Sequence, residues 1–150
     1  MQSLASYPYL QLSLHVREGG AIEAQWKGFV SSAVLRQATL DCVRLARQHG
    51  ITGWIADDRQ LGAVRPADLE WIATHVLPEL IQLGVKRFAR IEAVDPLNKL
   101  LIGQAQVAAE QQLPFVLQSF TDLEAARAWA CGYGSGSAPA RRSTQDATLG

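Results

Sequence analysis

The sequence predicts an α/β protein: a five-stranded mixed, mostly parallel sheet with four helices and an N-terminal β-hairpin. Three observations carry this. Two strictly alternating apolar runs, Leu10–Val16 and Ala21–Trp26, flank the turn Arg17-Glu18-Gly19-Gly20, which is the pattern of an antiparallel hairpin. Beyond it, strand-length apolar runs alternate with stripes at helical spacing, which requires crossover connections and a parallel sheet. Finally, the apolar run Trp54–Ala56 stops abruptly at Asp57-Asp58-Arg59 and turns at Gly62, as a central strand does where it leaves a sheet. Ligands and partners of open α/β folds meet the chain at such strand ends.

Each element follows from local signals. Leu10, Leu12, Leu14 and Val16 share one strand face, opposite Gln11, Ser13 and His15. Ile22, Ala24 and Trp26 do the same on the next strand, opposite Glu23 and Gln25. Ser31 or Ser32 caps a helix running to about His49, with Leu35, Ala38, Cys42 and Leu45 as its stripe and Gly50 at its left-handed end. The Trp54 strand follows. Pro66 starts a second helix, with Asp68 and Glu70 in its first turn and Leu69, Ile72, Val76, Leu80 and Leu83 inward. Pro78 lacks an amide hydrogen, so a kink is expected there. Arg87–Ala93 reads as a strand. Asp95-Pro96 opens a helix carried by Leu97, Leu100, Leu101, Ala105, Ala108 and Ala109, with Gly103 expected to pack closely on the sheet. Pro114–Phe120 is the last strand, and Thr121 with Glu124 forms a capping box for a final helix inward at Leu123, Ala126 and Ala130.

The 150 residues suit one domain over residues 1–131, followed by a Gly/Ser/Ala-rich stretch, 132–150, with the composition of a disordered tail. Fourteen basic and fourteen acidic residues cancel, which argues against nucleic acid, because phosphate neutralisation needs a basic excess. No apolar run reaches the roughly 20 residues that span a bilayer. Residues 1–9 lack the basic and apolar regions of a signal peptide, so a cytoplasmic location is expected. Cys42 and Cys131 have no metal spacing and read as small buried apolar residues.

Several residues in this order look like a known family. Trp26-Lys27-Gly28, then Trp54 with Asp57, Arg59 and Gly62, then Asp68 to Trp71, Pro78-Glu79-Leu80 with Gly84, and Phe120 to Trp129 together resemble the bacterial STAS-like proteins of SpoIIAA-like fold, in particular the small stand-alone STAS/SEC14 group. The resemblance covers about Leu10 to Ala130. It implies either a phospho-switched partner of anti-sigma kinases or, by analogy with SEC14 domains, a holder of apolar ligands. Where the switched members carry a serine after the central strand, this chain has no Ser or Thr from Asp57 to Ala73.

The candidate site is therefore a non-enzymatic recognition surface for a partner protein or a small apolar ligand, built on Asp57, Asp58, Arg59, Gly62, Arg65, Trp71 and His75. Asp57 and Arg59 would fix the loop or a polar group, with Asp57 pairing with Arg59 or Arg65, and Trp71 would supply apolar contact. One alternative is an enzyme or metal site using Asp57 and Asp58, with Glu92 or Asp95 as the third acid such a pocket needs. Another is a purely structural dimerisation domain. No histidine has a serine elbow beside it. No cofactor or metal is expected. Trp71, His75 and Gln82 share the helix face opposite the stripe, which suggests a homodimer through that face or through a sheet edge.

Overall fold

The structure, a computed structural model, describes residues 1–16 and 19–132. The expected tail lies outside the described residues except for Gly132, and so do Arg17 and Glu18 of the hairpin turn. One mixed sheet carries six strands in sequential order: β1 (Gln2–Tyr7), β2 (Leu10–His15), β3 (Ala21–Gly28), β4 (Gly53–Leu61), β5 (Arg87–Ile91) and β6 (Val116–Phe120). The first three are antiparallel and β3 to β6 are parallel. The sheet thus has one strand more than expected. β1 is an added edge strand whose half-exposed, bulged course has no clean alternation for a sequence reading to detect.

Four helical segments lie on one face: α1 (Ser32–His49), α2 (Pro66–His75), α3 (Leu77–Leu83) and α4 (Pro96–Glu110). α5 (Leu123–Ala130) covers the other. Crossovers of one hand along a sequentially ordered sheet place all the connecting helices on the same side. The kink expected at Pro78 falls at Val76, which stays right-handed and joins α2 to α3.

Strand alternation divides the interior into two cores. Leu10, Leu12, Leu14, Ile22, Trp54 and Phe88 face the four-segment side, whereas Ala21, Ile55, Ala89 and Ile91 meet Ala126 and Trp129 of α5. α5 sits tight on the sheet because Gly53 has no Cβ; one added there would run into the carbonyl oxygen of Ala130. The central strands are accordingly buried on both faces: Ser13, His15 and Glu23, on the polar side of the hairpin, are all buried, with Glu23 bonded to Arg127 of α5.

Other local expectations are corrected. β4 does not end at Asp57: it continues to Leu61 because β3 runs on beside it, so the expected Asp57–Gly62 loop is mostly strand. Val16 lies beyond β2 and is exposed. Asp122, not Thr121, caps α5, accepting from the Ala125 amide at 3.1 Å. In α4 the inward side carries Asn98 and Ile102, while Leu97 and Leu100 are exposed. Gly103 is not held against the sheet as expected: a Cβ added there would meet open space. Ser31 caps α1, Gly50 ends it with φ 60°, and Asp95 caps α4, as expected. Cys42 and Cys131 are both buried and form no disulfide.

Candidate functional site

Asp57 and Asp58 are neighbours on β4, so their side chains leave opposite faces of the sheet. Asp57 goes to the α5 side. Arg59 grips it with Nε to Oδ1 at 2.9 Å and Nη2 to Oδ2 at 2.7 Å, a fork matched to the carboxylate. Its Oδ1 also accepts from the Arg59 amide at 3.3 Å. Asp58 goes to the helix-covered side and pairs with Arg90 of β5. The two carboxyls do not converge on one atom. Glu92 pairs with Lys99 at 3.6 Å and Asp95 is spent on its cap, so neither completes an acidic triad.

A β-bulge between Gln25–Lys27 and Asp57–Gln60 puts one extra residue into β4. It reverses the alternation, so that Leu61 joins Asp58 on the helix-covered side. Gly62 is required where the chain leaves β4, since a Cβ there would approach the Gly28 backbone to 2.8 Å. Beyond it, Asn98 fastens the connection from below: Nδ2 donates to the carbonyls of Leu61 and Gly62 at 3.0 and 2.7 Å, and Oδ1 accepts from the Val64 amide at 2.9 Å.

Arg65 does not reach Asp57. It lies over the Phe29 ring, 5.0 Å from its centroid, 3.8 Å from Asp68 Oδ2, and donates to Ser32 Oγ at 3.3 Å. Asp68 is the hub here, buried and accepting from Ser32 Oγ at 2.7 Å and Arg36 Nε at 3.0 Å, which ties α2 to α1. Trp71 stacks on His75, with ring centroids 4.9 Å apart, and the Arg36 guanidinium lies over its ring 5.3 Å from the centroid. His75 Nδ1 lies 3.1 Å from the Trp71 carbonyl. The seven predicted residues therefore fall into three places: Asp57 with Arg59 under α5, Asp58 with Gly62 near the sheet's helix-covered end, and Arg65, Trp71 and His75 along α2.

What lies behind Asp58 was not legible in the sequence. A cavity of about 160 Å³ separates the sheet from the helices. Its floor is Trp54 and Phe88, stacked with centroids 6.3 Å apart, and its walls include Leu69, Ile72, Val76 and Ile102. α2 buries only Asp68 fully, because its apolar residues wall this space instead of touching the sheet. The polar side chains at the wall include Asp58, Arg90, Gln106 and Thr39; Arg90 Nε donates to Gln106 Oε1 at 3.0 Å. Burial pushes the Asp58 carboxyl upward in pKa, Asp57 adds to this, and Arg90 opposes it without cancelling it. Arg90, Ile102 and Gln106 also border a second hollow of about 230 Å³, lined by Glu92, Lys99 and Ser119.

On the α5 side, the sequence reading also missed a buried network. His15 Nε2 lies 2.8 Å from Glu23 Oε1, and Arg127 of α5 donates to both Glu23 oxygens at 2.7 and 3.0 Å. Burial alone would raise the Glu23 pKa, but hydrogen bonds from His15 and Arg127 outweigh it and hold the value at about 2. Among the described residues, no three or more His, Cys, Asp or Glu side chains cluster as a metal site would require, and no helix is long and apolar enough to cross a membrane.

No family model matches the chain, and no curated protein matches it. Among solved structures, the chain is similar to an uncharacterised protein of the DUF3478 family with a SpoIIAA-like fold from Shewanella loihica PV-4. The two share 18% identity, with a TM-score of 0.54, over 85% of this chain and 99% of that one. The class is therefore an α/β domain of SpoIIAA-like fold.

Proposed function

We propose that this chain is a non-enzymatic ligand-binding module that holds a small apolar molecule between its sheet and α2–α4, without a phospho-serine switch. The observation that carries this is the cavity over Trp54 and Phe88. At about 160 Å³ it is comparable to the engineered apolar cavity of roughly 150 Å³ that stays dry and takes up benzene. Close packing leaves few such voids in an ordinary core. The divergence of Asp57 and Asp58 supports a non-catalytic reading, since paired acid–base chemistry needs both groups to reach one bound substrate, and these two leave opposite faces of the sheet. Native mass spectrometry of freshly purified protein tests the proposal. The expected result is a bound small molecule that leaves on denaturation. A bare chain that also fails to take up added toluene would refute it.

A second reading, recognition of a partner protein, is favoured by the exposed apolar stripe Leu97, Leu100 and Val107 on α4. Self-association through the Trp71 face or a sheet edge belongs to the same proposal.

A further inference from the structure

The Asp58 carboxyl is an unusual wall for an apolar cavity. Its side chain is 4% exposed and borders the cavity. Oδ2 meets Arg90 Nη1, but Oδ1 has no hydrogen-bond partner among the described residues. Arg90 spends Nε on Gln106 and Nη1 on Asp58, and Nη2 likewise has no such partner. A buried polar atom left without a partner costs stability, so native structures seldom keep one unless something else satisfies it. Among the remaining lining residues, Thr39 donates its hydroxyl to the Leu35 carbonyl at 2.7 Å, and the others are overwhelmingly apolar.

We propose that the cavity binds an uncharged, ring-sized apolar molecule carrying one hydroxyl, whose O–H donates to Asp58 Oδ1. This rests on the proposed ligand-binding reading and specifies its chemistry. The volume matches a six-membered ring with one or two substituent atoms. Charge favours a neutral head group. Asp58 and Arg90 already neutralise each other, so an anion reaching the one open donor of Arg90, Nη2, would gain no net positive charge and would be buried beside the Asp58 carboxylate. A hydroxyl both donates and accepts, and so satisfies the free oxygen whether or not Asp58 holds a proton.

Calorimetric titration with phenol, toluene and benzoate at neutral pH tests this. Phenol is expected to bind about tenfold more tightly than toluene, the worth of one net hydrogen bond, and benzoate is expected not to bind. Replacing both members of the pair, Asp58→Leu with Arg90→Met, leaves no unpaired charge and should bring the phenol-to-toluene ratio down to about one. Should that variant fail to fold, the Asp58 carboxyl carbon resonance of the native protein reads the same contact: it should move with phenol and not with toluene. Equal affinity for phenol and toluene would overturn the hydroxyl assignment and leave apolar binding standing. Failure of both to bind would overturn apolar binding too. Benzoate binding tighter than phenol would overturn the assignment in favour of an anion site on Arg90.

Discussion

Glu23 shows how a single residue reports on the α5 side of the sheet. Its carboxyl falls from an ordinary 4.5 to about 2 in the folded chain. A depressed folded-state pKa contributes stability above the unfolded value and loses it as pH falls toward the folded one. The Glu23 contribution is therefore complete above about pH 5 and disappears between there and pH 2, on the order of 3 kcal/mol in all. Thermal unfolding followed across that window should show a steep loss of Tm, and Glu23→Gln should flatten it. None of this was legible in the sequence. Glu23 sits on the polar face of an alternating strand, and its partner Arg127 lies 104 positions away. Only the packing of α5 makes that face an interior. Asp57 and Asp58 were legible as a special place but not as two separate ones, although the period of 2 along a strand already sends neighbouring side chains apart.

At the level of elements, helix starts were the most readable feature. Asp95-Pro96 and Ser31 cap as expected because capping depends on neighbours in the chain. The phase of α4 was misread for the opposite reason. Its inward side is set by Asn98, a polar residue that no apolar stripe includes, and the connection after β4 is what Asn98 holds. Asn98→Ala should cost about 2–3 kcal/mol by losing three hydrogen bonds. The specific sign would be faster hydrogen exchange at the Val64 amide, with β5 amides unchanged in rank. The close seat of α5 gives another test: Gly53→Ala forces the helix outward, and overpacking of this kind costs about 1–3 kcal/mol in chemical denaturation. β1 escaped the sequence reading because an edge strand packed on one side only lacks both apolar alternation and continuous burial.

The whole molecule is asymmetric: close-packed beneath α5 and hollow beneath the other helices. The overall α/β plan, the hairpin and the parallel order of the later strands were legible, since they follow from the alternation of strand and helix periods. The hollow was not, because a void is a property of how apolar side chains from four helical segments fail to meet. Self-association is tested at the same scale. If the α2 face forms a homodimer, light scattering should give twice the chain mass, and Trp71→Ala should return it to that of one chain. An unchanged dimer would move the interface to β1 or β6, the two sheet edges.

The sequential strand order also bears on how the chain assembles as it is made. Each strand pairs with the one synthesised just before it, so the sheet can grow in the order in which it leaves the ribosome, with no gap to fill later. The helices that cover one face arrive between the strands they connect. The other face has no cover until α5, the last described element, is complete. Until then Ile55, Ala89 and Ile91 lie bare, and Glu23 waits for an arginine encoded 104 residues later. The nascent domain is thus one-sided for most of its synthesis, and the final turn of helix is the step that closes it.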